Sequence, residues 1–127
     1  MYDIQKLKME ICEEHKVVFP NATKPTQALK YLEEMIEFSE ADNNVDKLKE
    51  LCDIFNCGSG MARFDLKYSD FICSKAVAVM TIYFKADTDE EYDRRIYGMI
   101  KENWDEKKKR KLEEIEPGVY HHIKENK

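Results

Sequence analysis

Residues 26–55 read TQALKYLEEMIEFSEADNNVDKLKELCDIF, and their pattern predicts two amphipathic helices joined by a short turn. The turn at residues 42–44 is Asp-Asn-Asn, which offers a side chain that can cap the second helix. Because the connection is short, we expect the two helices to run antiparallel against each other. Apolar residues recur along the first helix at the three- and four-residue spacing that is typical of a buried helix face: Leu29, Leu32, Met35 and Ile36.

The same two helices carry four acidic residues at matching spacing. Glu34 and Glu37 form Glu-x-x-Glu, and Glu50 and Asp53 form Glu-x-x-Asp. A separation of three places each pair on one helix face. If the helices pack together, four carboxylates converge, and close carboxylates resist being ionised together. A hard divalent cation bound through carboxylate oxygens relieves this repulsion, and Mg²⁺ is the natural candidate.

A solvated acidic surface is the alternative interpretation, since glutamates at helical spacing are common on the exposed face of a helix. Against it, the first helix holds a single lysine, Lys30, while Glu33 and Glu40 extend its acidic face. The helix therefore lacks the balance of charges that is typical of a salt-bridged surface helix. Spacing alone leaves both interpretations open.

Composition indicates one helical domain. The chain has 127 residues, of which 43% are hydrophobic and 37% charged, so it can bury one core. Only 4 glycines and 3 prolines interrupt it, which favours long helices. We therefore predict an all-α, antiparallel bundle of about five helices that spans residues 1–127 as a single domain.

The remaining helices are placed by apolar spacing and by start and stop signals. Residues 88–91 are Thr-Asp-Glu-Glu, a capping box, and Pro117-Gly118 stops the helix that follows. Residues 117–127 are then expected to be a loosely attached tail. The fourth helix is apolar on most sides, which predicts a place in the bundle centre or in a subunit interface. The five helices are predicted at about residues 3–17, 26–41, 45–64, 69–84 and 88–116.

Charge and cysteine spacing exclude several classes of protein. A net charge of −5 counts against a general nucleic-acid binder, and the basic run 107–111 is more typical of a solvated helix end. The four cysteines form no Cys-x-x-Cys pair and no zinc-site spacing, so we expect buried free thiols. With no signal peptide and no apolar run long enough to span a bilayer, the sequence predicts a cytoplasmic protein without a membrane partner.

The acidic motifs also carry a family resemblance. Leu32-Glu33-Glu34-Met35-Ile36-Glu37, followed by Glu50-Leu51-Cys52-Asp53-Ile54-Phe55, resembles the signature of the MazG-type all-α nucleoside triphosphate pyrophosphohydrolases, which is Glu-Glu-x-x-Glu, a variable spacer and Glu-x-x-Asp. The spacer here is residues 38–49, at the short end for that family. Residues 19–23, Phe-Pro-Asn-Ala-Thr, are similar to the lead-in of small, often phage-encoded members. The resemblance covers about residues 19–64.

The resemblance implies a set of roles and an activity. Mg²⁺, with Mn²⁺ as a substitute, would be bound by Glu34, Glu37, Glu50 and Asp53. Glu33 would orient the attacking water, and either Glu33 or Glu37 would accept its proton. The last helix would contact the phosphates of a nucleoside triphosphate through Asn103, Lys107 and Arg110. The product would be a (deoxy)nucleoside monophosphate and pyrophosphate, and the protein would be a homodimer or homotetramer.

A function from another class stays open at this point. The same acidic face could belong to a non-enzymatic helical interaction module that binds a basic partner. Histidines at positions 15, 121 and 122 have no ligand-spaced partners, which counts against a histidine metal site. Trp104 could stack on a base, although a single aromatic in a charged helix more often packs in a core or interface. The sequence does not assign a nucleoside pocket.

Overall fold

The computed structural model describes residues 2–110 and 112–122. Within these ranges the chain is predominantly helical, which confirms the predicted all-α class. A two-stranded antiparallel hairpin follows the last helix. The elements in chain order are α1 (Ile4–Val18), α2 (Lys24–Glu40), α3 (Asn44–Met61), α4 (Leu66–Met80), α5 (Asp89–Lys107), β1 (Leu112–Glu116) and β2 (Val119–His122).

Each helix begins at a side-chain cap. The caps are Asp3, Thr23, Asn43, Asp65 and Thr88, and each accepts a hydrogen bond from the backbone N–H three residues later. Thr88 is the predicted cap of α5, and Asn43 lies in the turn that was predicted to cap α3. These caps satisfy backbone donors that the first helical turn leaves unpaired and so fix where each helix starts.

The centre of the bundle is α3. It packs against α1, α2, α4 and α5, and its Leu51, Phe55 and Met61 are buried. Two glycines allow the close approach of its neighbours: a Cβ at Gly58 would lie 2.6 Å from Cγ2 of Ile72 in α4, and one at Gly60 would lie 2.4 Å from Nε2 of His15 in α1. The fourth helix, α4, packs on α3 and leaves its Phe71 exposed. The bundle centre, one of the two places predicted for the fourth helix, is therefore occupied by α3.

The apolar stripe predicted for α2 points outward, so that expectation was wrong. Leu29, Leu32 and Ile36 are 47 to 50% exposed. The inward face of α2 instead carries four residues at helical spacing. Gln27 and Glu34 are buried, and Tyr31 and Phe38 pack against the core. The helix is therefore rotated so that a glutamate faces α3.

The predicted end of helix five, near Glu116, was also wrong, since α5 ends at Lys107. Residues rich in Lys and Glu favour a helix locally, and that preference is overridden here by the hairpin. Pro117-Gly118 forms the hairpin turn, in which Gly118 has a φ of 81° that suits glycine. Residues 117–122 of the predicted tail thus belong to the hairpin, and residues 123–127 lie outside the described part of the chain.

The hairpin docks onto the segment that precedes α2. The hydroxyl of Tyr120 accepts a hydrogen bond from the backbone N–H of Asn21 at 3.0 Å. The Glu114 carboxylate accepts one from Nδ2 of Asn21 at 2.9 Å and one from the backbone N–H of Gly118 at 3.2 Å. Gly118 is buried, and a Cβ there would lie 2.6 Å from the Asn21 carbonyl oxygen. Only glycine fits that contact without a shift of the backbone.

Two further expectations concern cysteines and membranes. All four cysteines, Cys12, Cys52, Cys57 and Cys73, are free and buried, as predicted. Across the described ranges, the helices are too short or too polar to cross a bilayer.

Candidate functional site

Three of the four predicted acidic residues converge where α2 faces α3. Carboxylate oxygens of Glu34, Glu50 and Asp53 all lie within 4.8 Å of one another. Glu34 is only 2% exposed, and the other two are half-buried. These three residues are called the acidic cluster below. Such an arrangement is one that a hard cation can bridge through oxygen ligands.

Glu37 and Glu33 lie at the edge of the acidic cluster. The Glu37 side chain is exposed, and it adds to the burial and the charges that raise the pKa of Glu50. Glu33 is half-buried and lies 3.8 Å from Nζ of Lys30. Both residues therefore border the site without joining the group of three.

Burial and mutual repulsion raise the pKa values of two carboxyl groups in the acidic cluster. Burial first, and then the charges of Asp53, Glu34 and Glu37, raise the pKa of Glu50 to about 8. Burial also raises the pKa of Glu34, against the opposing effect of Lys107. Oε2 of Glu34 and Oε2 of Glu50 are buried and have no hydrogen-bond partner among the described residues. Unpartnered buried acceptors are costly, and a bound cation is a partner that fits carboxylate oxygens.

Two lysines supply positive charge beside the acidic cluster. Nζ of Lys107, in α5, lies 3.4 Å from Oδ1 of Asp53, and this side chain is buried. Nζ of Lys30 lies 3.1 Å from Oε1 of Glu34. Although burial opposes it, the nearby Glu34 charge raises the pKa of Lys30 and keeps it cationic. The sequence analysis had singled out Lys107 but had assigned no role in the site to Lys30.

The other two predicted phosphate contacts, Asn103 and Arg110, lie in different surroundings. Asn103 lies one turn before Lys107, and its Oδ1 accepts a hydrogen bond from Nδ2 of Asn56 at 2.6 Å. Arg110 is exposed and follows the end of α5, so helical spacing no longer places it beside Lys107. Within the described ranges it forms no ion pair.

A cleft that is open to solvent adjoins the acidic cluster. Lys30, Glu33 and Lys107 line it, so the same side chains border both the acidic cluster and the cleft. Its other walls come from α1, α3, α5 and the hairpin, and include Asn56, Trp104 and Tyr120. No local sequence pattern indicates this cleft, because its walls come from elements far apart in the chain, one of which was predicted to be helical.

His15, which has no ligand-spaced partner in the sequence, is buried and lines the cleft. Nη1 of Arg63 lies 2.9 Å from Nδ1 of His15, and because a guanidinium only donates, this nitrogen must accept. Burial, and then the charges of Arg63 and Lys107, lower the pKa of His15 to about 3. The imidazole is therefore neutral at physiological pH and buttresses the wall of the cleft.

Comparison with known proteins adds no assignment. No protein-family model, curated protein or solved structure matches the chain. The function must be argued from the chemistry of the acidic cluster and its cleft.

Proposed function

We propose that this protein is a Mg²⁺-dependent hydrolase that cleaves a (deoxy)nucleoside triphosphate to the monophosphate and pyrophosphate. One observation carries the proposal: Glu34, Glu50 and Asp53 converge beside two lysines at the mouth of a cleft. Phosphoryl transfer needs charge neutralisation, a positioned water and little covalent participation by the protein. The residue types at this site meet those needs.

The donor set fits a hard divalent cation. Glu34, Glu50 and Asp53 would hold it, with Glu37 next to them, and the two buried, unpartnered Oε2 atoms support this fit. Mg²⁺, or Mn²⁺ in its place, neutralises charge on phosphate oxygens and makes water more acidic when it is bound. Soft or imidazole-preferring metals are disfavoured, because every donor is a carboxylate oxygen.

The protein's own side chains would orient the substrate and accept a proton. Lys30 and Lys107 line the cleft next to the acidic cluster, so their ammonium groups can contact phosphate oxygens. Glu33 also lines the cleft and can hold the attacking water and take its proton, with Glu37 as the alternative base. Hydrolysis would break the bond from the bridging oxygen to the α- or β-phosphorus as the water oxygen bonds to that phosphorus. One water proton would pass to this base, and the other would stay with the product. Asn103 would position Asn56 through the hydrogen bond between them.

Self-association is part of the proposal. Leu29, Leu32 and Ile36 form an exposed apolar stripe on α2, the helix that carries Glu33 and Glu34. Apolar residues at positions i, i+3 and i+7 are suited to pack against a second helix. We propose that a second copy of the chain covers this stripe in a homodimer or homotetramer.

The decisive experiment measures pyrophosphate release from a panel of ribo- and deoxyribonucleoside triphosphates with and without Mg²⁺. Glu50→Gln and Asp53→Asn should abolish release, while Glu40→Gln, an exposed position at the end of α2, should leave it intact. Circular dichroism must show that all variants fold. If folded, Mg²⁺-supplied protein releases no pyrophosphate from any triphosphate, the proposal is wrong and a non-enzymatic role for the acidic face becomes the better hypothesis.

A further inference from the structure

We infer that the cleft beside the acidic cluster is a nucleobase subsite, in which Asn56 and Trp104 hydrogen-bond to the edge of the base. The inference rests on the proposed function, because it assigns the part of the substrate that the carboxylates and lysines do not bind. It goes beyond that function by naming the residues that recognise the base.

Two residues that line the cleft each carry a buried polar atom without a partner among the described residues. Asn56 and Trp104 both line it, and both are only 2% exposed. Oδ1 of Asn56 and Nε1 of Trp104 are buried, and within the described ranges neither has a hydrogen-bond partner. Buried polar groups are nearly always paired, so two orphans in one cleft indicate a missing ligand.

The orphaned atoms are one acceptor and one donor. Nδ2 of Asn56 donates to Oδ1 of Asn103 at 2.6 Å, which leaves Oδ1 of Asn56 as the free acceptor. The indole N–H of Trp104 can only donate. A planar heterocycle with an N–H beside an acceptor atom pairs with both, and every common nucleobase presents such a pair on its Watson–Crick edge. A sugar or an aliphatic chain offers no such planar edge.

The shape of the cleft favours a flat ligand. The rings of Phe19 and Tyr120 line it and meet edge to face with centroids 5.2 Å apart, and His15 lies beside Phe19 with centroids 4.7 Å apart. Aromatic walls are what nucleotide pockets use to hold a base.

The pairing of α3 with α5 sets where the phosphates and the base of a nucleotide would lie along the two helices. Asp53 contacts Lys107, and one turn further along α3 Asn56 contacts Asn103, so the two helices run antiparallel with their side chains paired across them. The acidic cluster and the base-reading residues are therefore about one helical pitch, roughly 5 Å, apart along both helices. A nucleotide whose phosphates lie at Asp53 and Lys107 would place its base toward Asn56 and Trp104.

Trp104 gives the test its signal, because it is the single tryptophan of the chain. The folded protein is titrated with adenosine, cytidine, guanosine, uridine and thymidine in EDTA, with tryptophan fluorescence as the readout and ribose 5-phosphate as the ligand without a base. At least one nucleoside should change the fluorescence saturably, and ribose 5-phosphate should not. If no nucleoside binds to the folded protein, the inference is overturned.

Variants identify the residues that read the base. Trp104→Phe keeps an aromatic ring but removes the N–H, and Asn56→Ala removes the acceptor; titration calorimetry replaces fluorescence for the former. Each should weaken nucleoside binding about tenfold, the effect of one lost hydrogen bond. The matched control is Ser69→Ala, which removes a buried hydroxyl in α4 that does not line the cleft. Equal affinity in wild type, Asn56→Ala and a folded Trp104→Phe would overturn the assignment.

The two proposals fail in different ways. Nucleoside binding in EDTA without any Mg²⁺-dependent hydrolysis would support the subsite and contradict the hydrolase. Hydrolysis whose KM is unchanged in Asn56→Ala and Trp104→Phe would support the hydrolase and contradict the subsite.

Discussion

Nζ of Lys107 lies 3.4 Å from Oδ1 of Asp53, and both side chains are largely buried. The ammonium group thus serves as an internal counter-ion for the acidic cluster and joins α5 to α3. Lys107 also lines the cleft, so under the proposed function the same group would contact a phosphate of the substrate. Removal of the Lys107 charge should therefore have opposite effects on metal binding and on turnover.

Replacing Lys107 by methionine should tighten metal binding while slowing hydrolysis. Removal of the positive charge leaves more negative potential for a cation, whereas the transition state loses a charge contact, which costs about 100-fold in rate. Without metal, the variant should lose about 2 kcal/mol of unfolding free energy, because Asp53 loses its charged partner. Calorimetry with Mn²⁺, pyrophosphate release and urea denaturation measure the three effects.

The matched control for this variant is Lys101→Met, which breaks a surface pair with Asp105 on the same helix. Exposed pairs contribute little, so this change should leave all three quantities nearly unaltered. Weaker metal binding in Lys107→Met than in Lys101→Met would contradict the counter-ion role.

Mg²⁺ should raise the thermal stability of the protein in a saturable way. A ligand that binds only the folded state adds about 2.7 kcal/mol at 100 times its dissociation constant. Differential scanning fluorimetry with MgCl₂, against NaCl at equal ionic strength, separates site binding from screening. Glu50→Gln should lose the Mg²⁺ effect and keep the response to NaCl. An identical response of the wild-type protein to both salts would argue for a solvated acidic surface.

Without metal, stability should fall as the pH rises from about 6.5 to 8, because folding raises the pKa of Glu50 to about 8. In this window the unfolded state has already released the Glu50 proton, while the folded state still holds it. The folded state therefore binds more protons, and raising the pH favours unfolding. Burial lowers the pKa of His15 from 6.5 to about 3, so near pH 6.5 the unfolded state is still partly protonated there. This opposes the Glu50 slope at the lower end of the window and fades as the pH approaches 8.

Urea denaturation in EDTA at several pH values measures this slope. Glu50→Gln has no titrating carboxyl at that position, so its stability should vary much less over the same window. A wild-type stability that increases between these pH values would contradict the burial and repulsion assigned to the acidic cluster.

Two glycine-to-alanine changes should have opposite effects. A Cβ at Gly60 would lie 2.4 Å from Nε2 of His15 and 2.8 Å from Nε2 of Gln27, so Gly60→Ala should cost about 1–3 kcal/mol. A Cβ at Gly98, in α5, would meet no atom of the described residues within 4 Å, so Gly98→Ala should stabilise the protein by about 0.5–1 kcal/mol. Chemical denaturation of both variants tests the close packing of α3 against α1. Equal effects of the two changes would show that α1 does not approach Gly60 as described.

Self-association should depend on the outward face of α2. Leu32→Glu places a charge in the middle of the exposed stripe and should shift the protein toward monomer in light scattering after gel filtration. Val17→Glu, at an exposed apolar position in α1, is the control and should leave the oligomeric state unchanged. A wild-type protein that is monomeric at all concentrations would reject the proposed interface.

The acidic cluster was predictable because it depends only on helical spacing and a short connection. Glu34, Glu50 and Asp53 meet as that reasoning requires. The rotation of α2 was not predictable in the same way, since hydrophobic periodicity alone assigns Leu29, Leu32 and Ile36 to the core. The structure instead turns a charged residue, Glu34, inward. Such a reversal is expected where a binding site or an interface competes with simple burial.

The cleft and the hairpin depend on contacts between residues distant in sequence. Tyr120 meets Asn21 across 99 positions, and Asn103 meets Asn56 across 47, which no local pattern reveals. The region 107–116 has strong local helix preference, and only its docking onto the segment before α2 favours strands. The sequence signal that could have indicated the hairpin was Pro117-Gly118, which suits a tight turn as well as a helix stop.

The hairpin has a consequence for how the protein matures. Gly118, Val119 and Tyr120 form one wall of the cleft, yet they are made after every helix of the bundle. Until these residues have been made, the cleft lacks this wall even though all five helices are present. Closure of the cleft by the hairpin is thus the last step in building the candidate site.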